Sequence, residues 1–260
     1  MLVNPLRQKL AAGKPVIGPL FQEIPDSLEL VEFFGHAGYD YVMIDGEHAG
    51  VHVSFARDVC RAAEAAGIVA LARVPDTDPT RILALLDSGV MGIILAHCAT
   101  VEDAEALVKA CKYPPRGIRG ASGGSRAAMY GYGPGIGEKM DTFDRETMCF
   151  GLIEDESAIP HIEGMLKIDG FDGCFLGAGD MALSMNRAYL GMQPSHPEVQ
   201  KVINTVRDQT LAAGKLVMAP AGNGPAAKAM IDSGIQMIVV QFGQFFRTAL
   251  NTYLDGALGR

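Results

Sequence analysis

The sequence has no tryptophan, no run of lysine and arginine, and no long apolar segment. Its 22 Lys and Arg residues are outnumbered by 30 Asp and Glu residues, which gives a formal net charge of -8. A diffuse acidic balance argues against nucleic acids and anionic membranes as partners. A stretch of ~18 apolar residues, as a transmembrane helix needs, is missing, and so is the apolar core of a signal peptide. We therefore expect a soluble, cytoplasmic protein that acts on small molecules.

The five cysteines form no recognisable pattern, since their number is odd and no CxxC pair occurs. They lie within apolar stretches, which indicates small core residues in a reducing compartment. Neither GxGxxG after the first predicted strand nor GxxxxGK[ST] is present. The usual nucleotide signatures of open α/β sheets are thus missing.

Eight short apolar runs alternate with longer helical patterns along the chain. Because these runs are continuously apolar, they predict strands that are covered on both faces. The predicted strands are 15–21, 39–45, 68–74, 92–96, 149–155, 173–179, 215–221 and 237–243. Eight βα units in 260 residues fit a single (β/α)8 barrel domain over residues 1–260 better than an open sheet.

One long region, 113–148, is rich in Gly, Tyr, Arg and Ser and has little apolar periodicity. Long loops inside compact domains are usually functional or disordered. We predict an irregular loop that covers the active site at the C-terminal rim of the barrel and sets substrate selectivity.

Barrel active sites form at the C-terminal ends of the strands. Glu154 and Asp180 follow the fifth and sixth predicted strands, so their carboxylates can face one groove. Without a matching set of Cys or His ligands, such a pair favours a hard cation such as Mg²⁺ or Mn²⁺. Each residue taken alone also fits a structural role, Asp180 as a helix cap and Glu154 as a surface residue.

Two further strand ends carry basic side chains. His48 lies three residues after Asp45, and an imidazole oriented by a carboxylate can act as a general base. A rim histidine without a role is the alternative. Arg73 ends an apolar strand, where its guanidinium needs an anion, either an internal carboxylate or a substrate enolate. The Gly-rich turn before Asp180 could hold a substrate carboxylate on its backbone N–H groups, although such turns are common.

A lysine near the C-terminal half of a strand is missing from all eight runs. Schiff-base aldolases need such a lysine, so its absence favours metal stabilisation of an enolate over a covalent imine.

The segments IDGEHAG (44–50), YPPRGIRG (113–120) and DGCFLGAGD (172–180), with Arg73 and Glu154 between them, occur in a characteristic order. Together they resemble the class II, metal-dependent pyruvate aldolases of the 4-hydroxy-2-oxoheptanedioate and 2-keto-3-deoxy sugar acid type. The resemblance spans essentially the whole chain.

This resemblance implies a barrel of the phosphoenolpyruvate/pyruvate type and a divalent metal (Mg²⁺, Mn²⁺ or Co²⁺). It also implies a homo-oligomer, a hexamer built as a trimer of dimers, in which C-terminal helices are exchanged. Some relatives serve the breakdown of aromatic compounds. The site residues that it implies are Glu154 and Asp180 as metal ligands, Arg73 as the enolate-stabilising residue, His48 as the catalytic histidine, Asp45 and Asp87 as acidic residues around that histidine, and Gly177, Ala178 and Gly179 as the grip on the substrate carboxylate.

Two further positions near the substrate depart from the family pattern. Leu152 stands where a glutamine is typical, and His97 ends the fourth strand, where many aldolases have an apolar residue. A histidine at the end of this strand is a feature in which the sequence resembles macrophomate synthase. That enzyme decarboxylates oxaloacetate and forms carbon–carbon bonds.

The sequence thus predicts reversible cleavage of a 4-hydroxy-2-oxoacid to pyruvate, or a pyruvate analogue, and an aldehyde. In this reaction His48, or a metal-bound water that it polarises, removes the hydroxyl proton, and the metal and Arg73 stabilise the enolate. The alternatives are an oxaloacetate decarboxylase with His97 near the second substrate, and an inactive binding barrel.

Overall fold

Eight parallel β-strands close into a barrel in the computed structural model, which describes residues 3–22, 28–50, 52–185 and 193–260. The strands are β1 (Val16–Phe21), β2 (Tyr41–Asp45), β3 (Val69–Val74), β4 (Gly92–Leu95), β5 (Met148–Ile153), β6 (Gly173–Leu176), β7 (Leu216–Ala221) and β8 (Met237–Gln241). Neighbours in sequence pair in order, and β1 pairs with β8 from Val16↔Met237 to Leu20↔Gln241. The predicted (β/α)8 barrel is confirmed.

Helices surround this barrel and alternate with its strands. In the described residues they are α1 (Pro5–Ala11), α2 (Leu28–His36), α3 (Val53–Ala65), α4 (Pro79–Ser88), α5 (Val101–Cys111), α6 (Ile136–Glu146), α7 (Ile162–Leu166), α8 (Ala178–Ser184), α9 (Pro197–Ala212), α10 (Gly224–Asp232) and α11 (Phe242–Leu258). Short 3-10 helices occupy Met129–Gly131 and Glu156–His161. Among these helices none has both the length and the apolarity to span a bilayer.

The strand pleat divides the buried side chains into two cores, because successive residues of a strand point to opposite faces. Met43, Leu71 and Phe150 belong to the core inside the barrel. Leu6 of α1 joins that core, so α1 closes the N-terminal end of the barrel. The neighbouring strand residues, such as Ile44 and Ala72, pack instead against the surrounding helices. All five cysteines are buried and free, as predicted.

The same alternation carries polar side chains into the mouth of the barrel. In β2 the inward positions run through Met43 to Asp45, and in β3 they run through Leu71 to Arg73. The register of β2 and β3 pairs Asp45 with Arg73. Glu154 directly follows β5 and, two residues after the inward-facing Leu152, lies at the next inward position. The inward-facing positions at the ends of these apolar strands therefore carry charged side chains, which lie at the C-terminal end of the barrel.

The prediction for region 113–148 is wrong in two respects. Helix α5 runs antiparallel to the strands and ends at the N-terminal end of the barrel. The segment between Cys111 and Met148 therefore connects α5 to β5 at that end, opposite the strand ends that carry Asp45 and Arg73. The segment also contains α6 and is packed, with the Arg119 guanidinium 4.7 Å from the Tyr113 ring centroid. Within its own chain this region cannot cover the mouth of the barrel or set selectivity there.

Candidate active site

A buried ion pair between β2 and β3 fixes the guanidinium of Arg73 at the mouth of the barrel. Arg73 Nε and Nη2 donate to the two carboxylate oxygens of Asp45 at 3.0 and 2.6 Å. Both residues are buried. Burial by itself would raise the pKa of Asp45, but the hydrogen bonds and positive charge of Arg73 outweigh it and hold that pKa below its usual value. Asp45 therefore stays ionised, and both of its carboxylate oxygens bind Arg73.

The remaining terminal nitrogen of Arg73 faces a second carboxylate. Arg73 Nη1 lies 3.0 Å from Glu47 Oε2. The contact is an ion pair without hydrogen-bond alignment, and this buried oxygen accepts no hydrogen bond from any described group. Glu47 thus presents a carboxylate whose hydrogen-bonding capacity is incompletely used, which is unusual for a buried charge.

Glu154 is a buried carboxylate at the centre of the mouth, with 3% of its surface exposed. Its Oε1 accepts a hydrogen bond of 2.9 Å from the backbone N–H of His97. Burial raises the pKa of Glu154 to about 7, and the charges of Glu47 and Asp180 add to the effect, while His97 opposes it. A cation that binds next to such a buried carboxylate stabilises its ionised form.

His97 stands between these carboxylates with an unusual backbone. Its φ of 48° lies in the left-handed region, which few residues other than glycine adopt. Its ring Nδ1 is 3.0 Å from Asp155 Oδ2, and its Nε2 is 3.3 Å from Glu47 Oε1. Burial would lower the pKa of the imidazole, but the hydrogen bond to Asp155 and the charges of Glu154 and Asp155 raise it.

Donor atoms of Glu47, His97 and Glu154 all lie within 4.8 Å of one another. Two carboxylates and one imidazole at this separation are a donor set that suits a divalent cation. The sequence by itself assigns Glu47 no role, although the segment IDGEH contains it. Its side chain follows the end of β2, where strand parity no longer predicts direction, so the sequence alone could not place it.

The predicted ligand pair, Glu154 and Asp180, lines one cavity of about 350 Å³ at the barrel mouth. Asp180 is nevertheless outside the three-residue donor group. The other residues named from sequence that line this cavity are His48, Arg73, Leu152, Gly177, Ala178 and Gly179, and Gln22 and Gln241 line it as well. A Cβ at position 177 would lie 2.6 Å from Glu154 Cβ, so only glycine lets this turn pass so close to the carboxylate.

His48 reaches the cavity but is held differently from the prediction. Only its backbone N–H contacts the Asp45 carboxylate, at 3.3 Å. The Nε2 atom of its half-exposed ring lies 3.7 Å from Glu47 Oε2. Asp45 is committed to Arg73, so the expectation that Asp45 orients the imidazole is wrong, and Glu47 is the carboxylate next to the ring.

Within one chain, Asp87 does not lie with the other predicted site residues at the mouth of the barrel. It lies in the last turn of α4, which runs back to the N-terminal end of the barrel, and its Oδ1 accepts a hydrogen bond of 3.1 Å from Arg119. The structure therefore separates Asp87 from His48 by the length of the barrel, contrary to the expectation that it lies around that histidine.

Comparisons with known proteins agree with this geometry. The family model for HpcH/HpaI aldolase/citrate lyase matches residues 25–238. The chain is 32% identical over 247 residues to a hydroxypyruvate/pyruvate aldolase of Roseobacter denitrificans, covering 92% of this chain and 90% of that protein. It is 35% identical over 218 residues to a 4-hydroxy-2-oxovalerate aldolase of Rhodococcus jostii, covering 82% and 80% of the two proteins.

Solved structures show the same relationship. An HpcH/HpaI aldolase/citrate lyase family protein from Burkholderia cenocepacia superposes with a TM-score of 0.89 at 26% identity, covering 98% of this chain and 99% of that one. Macrophomate synthase shares the fold, with a TM-score of 0.79 at 20% identity, covering 100% of this chain and 93% of the other. The protein belongs to the HpcH/HpaI aldolase/citrate lyase family and is an aldolase of that family.

Proposed function

We propose that the protein cleaves a 4-hydroxy-2-oxoacid reversibly to pyruvate, or a close pyruvate analogue, and an aldehyde, with the help of a divalent cation. The observation that carries this proposal is the convergence of buried carboxylates and Arg73 on one cavity at the strand ends. Relatives that cover most of the chain are named as pyruvate-type and 4-hydroxy-2-oxoacid aldolases.

The residues that would hold the cation are Glu154 and Asp180, which line one cavity, and Glu47 and His97 lie next to Glu154. When bound, a divalent cation supplies positive charge to the keto and carboxylate oxygens of a 2-oxoacid. The donor set supports this assignment because Glu154 is buried and Glu47 has an oxygen without a hydrogen bond.

Arg73 stabilises the negative charge that develops as the carbon–carbon bond breaks. Its guanidinium lines the cavity, and Asp45 holds it rigidly through two hydrogen bonds. A donor that is already in place when the enolate forms needs no reorganisation during the reaction, which is the basis of electrostatic catalysis. Asp45 is therefore a positioning residue for Arg73.

His48 is our candidate for the base that takes the proton of the 4-hydroxyl group. Its ring is exposed to the cavity, and the neighbouring Glu47 can stabilise the imidazolium that results. The close turn of Gly177, Ala178 and Gly179 supplies the cavity wall that we assign to the substrate carboxylate. Leu152, also in the wall, offers that carboxylate only apolar contact.

The direct test is a screen of pyruvate release from a panel of 4-hydroxy-2-oxoacids, with added Mg²⁺, Mn²⁺ or Co²⁺ and with chelator. Glu154→Ala and Asp180→Ala should each lower kcat/KM by about 10²-fold or more, because each removes charge from the proposed cation site. Glu163→Ala is the control, since Glu163 pairs with Lys167 on the exposed face of α7. Near-normal rates in either cavity variant at saturating metal would refute the ligand assignment. Faster pyruvate release from oxaloacetate than from every aldol would make decarboxylation the main reaction.

We also propose that the protein is a homo-oligomer in which α11 packs on a second copy. Helix α11 leaves its own barrel after the first turn and exposes a continuous apolar face of Phe246, Leu250, Tyr253, Leu254 and Leu258. Beside its origin, an apolar cavity of about 300 Å³ lies between β8, β1 and α10. Exchanged helices would cover both surfaces. Asp87 can then act near a His48 only if a neighbouring subunit supplies it.

Leu250→Glu and Leu254→Glu should shift the protein to a monomer, because each places a charge in the middle of the exposed apolar face. Thr252→Glu, on the opposite side of the same helix, should leave the assembly unchanged. Sedimentation velocity at micromolar concentration measures the outcome. A wild-type protein that sediments as a monomer would disprove the exchange.

Cation binding should weaken as the pH falls. Without a cation, Glu154 keeps its proton up to a pKa of about 7, and a cation must displace that proton to use the carboxylate. The apparent affinity should therefore rise by about tenfold per pH unit up to roughly pH 7 and level off above it. Titration calorimetry from about pH 5.5 to 8.5 checks this, and an affinity that stays constant below pH 7 would contradict it. In Glu154→Gln the dependence on this proton should vanish.

A further inference from the structure

The imidazole of His97 is oriented as the imidazoles of metal-binding histidines are. Its Nδ1 lies 3.0 Å from the carboxylate oxygen Oδ2 of Asp155. A carboxylate is only an acceptor, so the contact with Asp155 holds a proton on Nδ1 and makes Nε2 the nitrogen that can give up its proton to a cation and bind it through the lone pair. Histidines that bind metals usually donate their other ring N–H to a carboxylate or carbonyl in this way.

The second ring nitrogen faces Glu47. His97 Nε2 is 3.3 Å from Glu47 Oε1, while Nδ1 lies 3.5 Å from Glu154 Oε1. One donor atom each of Glu47, His97 and Glu154 lies within 4.8 Å of the others. Metal–ligand bonds of ~2.1 Å allow two donors of one ion to be up to ~4.2 Å apart. Side-chain movements below about 1 Å would therefore bring all three onto one ion.

The backbone of His97 fixes the second ligand as well. Its left-handed conformation, with φ of 48°, directs its N–H onto Glu154 Oε1 at 2.9 Å. Only a few per cent of residues other than glycine adopt this conformation. One residue thus orients the Glu154 carboxylate with its main chain and offers a nitrogen donor with its side chain.

We propose that His97 Nε2 is a direct ligand of the divalent cation bound by Glu154, and that this nitrogen makes the site select Mn²⁺ or Co²⁺ over Mg²⁺. The inference rests on the proposed function only in assuming that a cation binds at Glu154. Imidazole suits transition metals, whereas Mg²⁺ prefers oxygen ligands and retains its waters. Asp155 acts as the positioning residue for the ring.

Pulsed electron paramagnetic resonance of Mn²⁺ bound to the full-length protein tests the proposal, because it detects a ¹⁴N nucleus that is directly coordinated. The wild-type protein should show ¹⁴N modulation. His97→Asn and His97→Gly should lose it while still binding Mn²⁺ through the carboxylates. Both substitutions tolerate a positive φ, so the hydrogen bond from residue 97 to Glu154 is preserved.

His48→Asn is the matched control, since His48 also lines the cavity. It should retain the ¹⁴N modulation. Loss of the signal in His48→Asn and its persistence in His97→Asn would overturn the proposal by assigning the nitrogen to His48. Absence of ¹⁴N modulation in wild-type protein with Mn²⁺ bound would overturn it as well.

Metal selectivity provides the second readout. Competition titrations should show that His97→Asn weakens Mn²⁺ binding by at least about 10-fold and changes Mg²⁺ binding much less. Asp155→Asn should weaken Mn²⁺ binding by about 10- to 100-fold, in the range typical of residues that orient metal ligands. An unchanged ratio of Mn²⁺ to Mg²⁺ affinity in His97→Asn would refute the selectivity.

These outcomes separate the inference from the proposed function. If no 4-hydroxy-2-oxoacid is cleaved but the ¹⁴N signal depends on His97, the ligand assignment stands and the substrate proposal fails. If pyruvate is released with Mn²⁺ bound and no nitrogen is coordinated, the substrate proposal stands and the His97 assignment fails.

Discussion

The concentration of negative charge at the mouth of the barrel is the constraint on which the rest of the site depends. Five carboxylates gather there around one guanidinium, and they belong to Asp45, Glu47, Glu154, Asp155 and Asp180. Burying an unpaired charge is costly, so each of these groups needs a cation, a proton or water. Arg73 satisfies Asp45 through two hydrogen bonds. Glu154 has the backbone N–H and the ring of His97 beside it, and burial nevertheless raises its pKa to about 7.

A closed barrel can tolerate this arrangement because its strands are rigid and its interior is apolar. The charged side chains continue rows of inward-facing apolar residues, so each enters the mouth from a position fixed by the pleat. Adjacent strands then set the spacing, as the pairing of Asp45 with Arg73 across β2 and β3 illustrates. The fold thereby holds charges close together that would repel one another in a flexible chain. A divalent cation bound among these carboxylates would relieve that repulsion.

The sequence predicts the barrel well because continuous apolar runs report burial on both faces, and all eight runs became strands. It also predicts that Arg73 needs an anion, since a guanidinium at the end of a buried strand has few other options. It does not predict that Asp45 supplies this anion, because register between strands is a property of the closed sheet. Glu47 and the backbone of His97 lie in turns beyond the strand ends, where no periodicity fixes direction. The segment 113–148 was assigned to the wrong end of the barrel, since its position depends on the path of α5.

We expect this mouth, with a divalent cation bound, to stabilise the enolate of pyruvate whatever the aldehyde partner is. Exchange of the methyl protons of pyruvate with deuterium from solvent measures this directly by proton NMR, without any aldehyde. We expect exchange that requires added Mn²⁺ or Mg²⁺ and that is lost in Arg73→Lys, because a lysine cannot keep both hydrogen bonds to Asp45 and a donor for the enolate. Pyruvate that binds in the presence of the metal and yet keeps its methyl protons over many hours would contradict it.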